Sequence, residues 1–214
     1  MKKILTLLAI AAGTTLGYTQ GTVSFTINSA AYAGYTNTAA YGSGLSGTQG
    51  KTSITPNGYY YALLTAAYGG AAPSASPLSS SWTSVATGNN SVSALFPGGI
   101  VGGTVTLGVA AGTDVYVEVV GWSAGLGTTW QTVSTELATG NWAANGYFGV
   151  SGLGYVATGN VVVNGIASPA TSVWSGTGIP GQTVMYAVSP VPEPTTVALI
   201  GLGGLGLAMI RRRK

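Results

Sequence analysis

The chain has 214 residues, a formal net charge of +3, and neither cysteine nor histidine. Their absence excludes disulfides, Cys/His metal sites, and general-base or triad chemistry that relies on imidazole. The positive charge lies at the two ends, leaving between them one cation, Lys51, against three acids, Asp114, Glu118 and Glu136. That gives a net charge of −2 and excludes the clustered Lys/Arg face that nucleic acid requires.

The N-terminus reads as an export signal. Lys2 and Lys3 form a positive n-region, Ile4 to Ala12 an apolar h-region, and small residues follow, with candidate cleavage after Ala12, Gly17 or Gln20. The run is too short and wrongly flanked for a permanent span. Residues 1–20 are therefore expected to be a signal peptide.

Residues 21–190 are rich in Gly, Ser, Thr, Ala, Asn, Val and Tyr, and are long enough for one domain with a real core. Val23 to Ile27 and Val115 to Val119 alternate apolar and polar residues. Tyr59 to Leu64, Ser91 to Phe96, Gly103 to Val109, Val161 to Val163 and Thr183 to Val188 are further short runs bounded by Gly, Asn or Pro. Asn57-Gly58, Asn145-Gly146 and Asn164-Gly165 favour tight turns, because Asn and Gly tolerate positive φ. The clearest hairpin joins Thr104–Val109 to Asp114–Val120. It turns Val115, Val117 and Val119 inward and Asp114, Tyr116 and Glu118 outward.

Segments 29–58 and 69–90 are poorer in apolar residues and are expected to be long loops or weak edge strands, with Ala72 to Pro77 a surface loop. No long helical periodicity precedes residue 195. The fold class is all-β: a single antiparallel β-sandwich or jelly-roll-like domain.

The acids offer little chemistry. A glycosidase needs two carboxyl groups about 5–9.5 Å apart. Asp114 and Glu118 are four residues apart on a predicted strand, so their Cα atoms lie roughly 13 Å apart. Glu136 could approach either one only through the fold. No D-x-D-x-D-G loop occurs, and Asp114 is the one acid to watch for a structural calcium. No catalytic residue, metal site or cofactor is expected.

The aromatics are the other hint. Trp82, Trp122, Trp130, Trp142 and Trp174 lie in the central and later body, with Tyr59, Tyr60 and Tyr61 before them. Exposed rings stack on sugars, whereas enclosed ones pack the core or its rim. Trp130 and Trp142 sit in Thr/Gly/Asn-rich, loop-like sequence and are the first candidates for carbohydrate contact.

The C-terminus is the most specific segment. Val191-Pro192-Glu193-Pro194 precedes an uncharged apolar run, Thr195 to Ile210, and then Arg211, Arg212, Arg213 and Lys214. The two prolines restrict their own φ and push Val191 and Glu193 towards extended backbone, while Pro194 suits the first turn of a helix. As a helix the sixteen-residue run would span roughly 24 Å, against about 30 Å of bilayer hydrocarbon. Snorkelling Arg and Lys side chains and local thinning make up such a difference. The terminal cations stay cytoplasmic and leave the body outside. Gly201-Leu202-Gly203-Gly204-Leu205-Gly206 matches G-x-G-x-x-G, but it lacks the flanking strands and downstream acid of a dinucleotide site. Its glycines suit close helix packing in a membrane instead.

This order closely resembles the PEP-CTERM sorting domain of Gram-negative bacteria, over about the last 24 residues. The resemblance implies an exported protein read by an exosortase, a membrane-embedded transpeptidase, with a frequent link to exopolysaccharide. It makes Val191, Pro192, Glu193 and Pro194 the sorting motif, Thr195 to Ile210 the membrane helix, and Arg211 to Lys214 the stop-transfer cluster of segment 191–214. The expected protein is a non-enzymatic surface or extracellular-matrix component, membrane-anchored transiently or permanently. A secreted carbohydrate-binding module or polysaccharide-active enzyme is the alternative.

Overall fold

Short Val/Thr/Tyr-rich runs separated by Gly and Asn do become strands, though several pair differently from the local pattern. The computed structural model describes residues 19–27, 32–160, 162–163 and 165–191. Within them run β1 (Gln20–Ser24), β2 (Gly34–Ala40), β3 (Gln49–Lys51), β4 (Tyr59–Ala67) and β5 (Thr83–Asn90). Next come β6 (Ile100–Val101), β7 (Thr104–Ala110), β8 (Asp114–Ser123), a 3-10 turn at Ala124–Leu126, and α1 (Trp130–Thr139). The series closes with β9 (Gly146–Val150), β10 (Gly154–Ala157), β11 (Val162–Val163), β12 (Ile166–Ala167), β13 (Thr171–Ser172) and β14 (Thr183–Val188). The expected signal peptide lies outside the described residues up to residue 18.

The all-β class is what the chain adopts. A large sheet runs β3-β2-β14-β9-β8-β4-β5-β6, with β10 also paired to β8, and a small sheet runs β13-β1-β7. Most pairings are antiparallel, but β2 with β14 and β1 with β13 are parallel. The large sheet curls enough for the loop before β6 to reach β2, where the Gly34 N–H donates to the Gly98 carbonyl at 2.7 Å.

Two apolar layers result. Val23, Val105 and Leu107 of the small sheet face Leu63, Val115, Val117 and Val119 of the large one. On the opposite face of the large sheet, Ala62, Leu64, Val120, Trp122 and Phe148 are covered by Leu126, Val133 and the rings of Trp130 and Trp142. β8 is thus buried on both faces over Val117 to Trp122. Close strand approach also needs Gly149, where a Cβ would run into the Val184 carbonyl and Met185 Cα.

Several expectations are corrected. The Thr104–Val109 and Asp114–Val120 runs are both strands, but they form no hairpin: β7 pairs with β1, and β8 with β4, β9 and β10. Both runs point apolar residues at one core, so they must lie in opposite layers rather than side by side. The connecting turn is tied accordingly, with Ala111 N–H donating to Thr19 and Gly112 N–H to Thr158 carbonyls.

Ser91–Phe96 is not a strand. Ser91 and Ser93 hydroxyls accept from the Ser93 and Leu95 amides, and this local bonding competes with ladder pairing. Segments 29–58 and 69–90 contain more than loops and edges. β2 lies between β3 and β14, and β5 pairs along β4. Polar ends there are satisfied by specific bonds: the Asn90 amide donates to Ser53 and Thr55 carbonyls and its oxygen accepts from Tyr59 N–H.

Residues 72–77 do form an exposed loop for the most part. The Val23–Ile27 strand is shifted to Gln20–Ser24, with Ile27 kept by a bridge to Ile100. Finally, the ten-residue α1 appears where no long helical pattern was expected. Thr129 caps it, its hydroxyl accepting from Thr132 N–H, and Gly140 ends it at φ 68°.

Candidate functional site

The sorting segment starts almost directly from the sheet. β14 is held between β2 and β9, and its last residue, Val188, pairs with Gly146. Val191 is the last described residue and is 59% exposed, so the chain leaves the body at the surface. Pro192, Glu193, Pro194, Thr195 to Ile210, and Arg211, Arg212, Arg213 and Lys214 lie outside the described residues. Among the described residues no helix is long and apolar enough to cross a membrane. From Val191 to Thr195 is four residues of chain, which reach at most about 14 Å when extended.

The structure brings Trp130 and Trp142 together, around a buried ring. Trp130 opens α1 and stacks on Phe148 at 6.5 Å between centroids, while Trp142 lies 5.4 Å from the same ring. Tyr41 meets Phe148 edge-on at 5.1 Å, and Trp122 joins Trp130 to Tyr60. Both candidate tryptophans are only partly buried, and both pack against the second apolar layer. They cover that layer as well as reaching solvent.

The acids are dispersed. Glu118 was expected to point outward; instead it is 1% exposed, because α1 and its flanking loops cover the face that the alternation assigned to solvent. It pairs across the ladder with Leu64, and neither carboxylate oxygen has a hydrogen-bond partner. Burial pushes its carboxyl up to about 7. Burial, with the Glu118 carboxylate adding to it, also raises the Tyr41 phenol above its ordinary value.

Asp114 begins β8 opposite Ala157, and Glu136 lies on α1 with one oxygen enclosed and unpartnered. Among the described residues no three His, Cys, Asp or Glu side chains are grouped to hold a metal. Two shallow hollows, one beside Tyr41, Leu45 and Tyr186 and one beside Asn145, Tyr147 and Ser189, have no acid in their lining.

A second ring cluster escaped the sequence reading. Tyr68, just after β4, lies 4.9 Å from both Tyr116 of β8 and Tyr155 of β10. These residues are far apart in sequence, and only the β8–β10 pairing of Tyr116 with Tyr155 makes them neighbours. The available signal was Tyr116 at an outward position of an alternating strand.

No curated protein and no solved structure matches the chain. Residues 190–214 match the family model described as the PEP-CTERM protein-sorting motif. This is the segment that the exposed exit at Val191 leads into. The chain is thus an exported protein that carries a C-terminal PEP-CTERM sorting motif and is a substrate for an exosortase-type enzyme.

Proposed function

We propose that this is a non-enzymatic surface or extracellular-matrix protein, held at the membrane by Thr195–Ile210 until its sorting motif is processed, and associated with exopolysaccharide. The observation that carries the reading is the matched motif, which follows directly on the β-body at an exposed Val191. The absence of catalysis is supported by the acids: Glu118 is sealed in an apolar layer, and Asp114 and Glu136 occupy separate elements. A body with few charges and many Ser, Thr, Asn and Tyr side chains suits contact with hydroxyl-rich polymer.

Intact mass of the protein from surface and extracellular fractions of its host tests this. The expected mass lacks everything after the Val191–Pro194 region. A protein that keeps Arg211 to Lys214 and occurs only with membranes would overturn processing. The same spectrum reports the N-terminus. Thr19 and Gln20 carbonyls accept bonds from Ala111 N–H and the Asn160 amide. Signal-peptide cleavage is therefore expected after Ala12 or Gly17, and a mature chain starting at Gly21 contradicts this.

The carbohydrate-binding reading gains from the gathering of Trp130 and Trp142 at the rim of one layer. Its mark is saturable affinity that falls in Trp130→Ala or Trp142→Ala.

A further inference from the structure

Strand pairing gives the body two unlike ends. The Val188 end of β14 lies beside Gly146 of β9, and β9 pairs Phe148 with Trp122 near the end of β8. The chain leaves from that end, and the short tether of about 14 Å to Thr195 keeps it next to the bilayer while the anchor is present. Tyr116 lies six residues back along β8, roughly 20 Å away at about 3.3 Å per residue. The Tyr68, Tyr116 and Tyr155 rings are therefore displaced from the membrane-proximal end, towards the opposite end of the strand.

These rings are open as well as clustered. Tyr68 is 44% exposed and the other two are half-buried. They tilt at 43° and 34° to Tyr68, forming a shallow cup rather than a flat stack. The backbone that carries Tyr155 is held on both its polar groups: Tyr155 N–H donates to the Thr177 carbonyl, and the Thr177 hydroxyl donates back to the Tyr155 carbonyl. Asp114 lies two residues before Tyr116 on the same face of β8 and pairs with Ala157, two residues after Tyr155, so its carboxylate is on the rings' side of the sheet. Tyr116 packs on the second apolar layer as Trp130 and Trp142 do, but those two also rest on buried Phe148, which the tyrosines do not touch.

Deepening the exopolysaccharide reading, on which it rests, we propose that Tyr68, Tyr116 and Tyr155, with Asp114 beside them, form a binding site for neutral pyranose chains. The apolar C–H face of a pyranose stacks on phenol rings, and the phenol hydroxyls and carboxylate bond its hydroxyls. Anionic sugars are disfavoured by Asp114, and the body's cation, Lys51, lies on β3, four strands from β8 along the sheet.

The test is isothermal titration of the processed protein from the host's extracellular fraction against cellohexaose, mannohexaose and xylohexaose. Saturable binding to at least one is expected. Tyr68→Ala and Tyr155→Ala should weaken it about tenfold or more, and Tyr68→Phe, which keeps the ring, less than about threefold. Thermal melting of each variant separates lost binding from lost fold. No binding by the wild type, or undiminished binding by a folded Tyr68→Ala, overturns the site. Co-fractionation with exopolysaccharide is scored separately: if it persists in Tyr68→Ala, the site fails while the broader reading stands. If wild-type protein does not co-fractionate, the broader reading fails.

Discussion

Trp122→Ala is expected to lower unfolding free energy by about 3–5 kcal/mol, the largest stability loss of any single truncation proposed for this chain. Trp122 has no exposure and lies in β8, the strand that pairs with β4, β9 and β10. Its indole stacks on Tyr60 at 6.2 Å and meets Trp130 at 6.1 Å, while its Nε1–H donates to the Gly127 carbonyl at 2.8 Å. Truncation leaves a ring-sized void between sheet and helix and strips the Gly127 carbonyl of its donor. It also releases Trp130 from one of its two ring contacts, so α1 should loosen with it. Urea unfolding followed by far-UV circular dichroism reads the loss. A cost below about 1 kcal/mol would show that this layer contributes little to stability.

The second large effect is a dependence on pH centred on Glu118. Its carboxyl titrates at about 7 in the folded protein against 4.5 as the ordinary value, because burial penalises the anion. The folded state therefore holds this proton more tightly than the unfolded state does. Stability from this group is complete below about pH 4.5, falls as pH rises towards 7, and levels off above that at a penalty of at most about 3 kcal/mol. No imidazole titrates in that window, since the chain lacks histidine.

Glu118→Leu should abolish this slope and raise stability at pH 8 by about 1–3 kcal/mol, since an apolar side chain suits the site beside Leu64. Glu118→Gln should remove the slope while retaining a buried, unpaired amide and gaining less. The readout is urea unfolding of the three proteins between pH 4.5 and 8. A wild-type curve parallel to that of Glu118→Leu would mean that the carboxylate is solvated.

Local pattern was most legible where a strand's own residues are mostly apolar or aromatic. The expected Tyr59–Leu64 run opens β4, which continues to Ala67, Thr183–Val188 is β14 as expected, and Val115, Val117 and Val119 face the core as their alternation requires. The pattern failed where partners come from elsewhere. β5, with the sequence TSVATGNN, carries no local apolar signal and becomes a strand because β4 offers a long unpaired ladder. The Thr104–Val120 region shows the same limit, because a turn between two strand-like runs does not specify whether they pair or face each other across a core. Glu118 was read as solvent-facing because alternation marks two faces without showing that both are covered.

The address is legible in the residues alone: the order of Pro-Glu-Pro, apolar run and basic end is contiguous, and its meaning lies in local stiffness, hydropathy and charge. So is the all-β class, since strand propensity and turn residues act over a few positions. What lies on the body, by contrast, depends on how distant segments pack. Tyr68, Tyr116 and Tyr155 become one cluster, Trp130 and Trp142 become one rim, and Glu118 becomes a buried acid through pairings between segments up to about a hundred residues apart. Such proximity follows from which strands share a sheet and which layer covers it, and neither leaves a mark in the residues on either side.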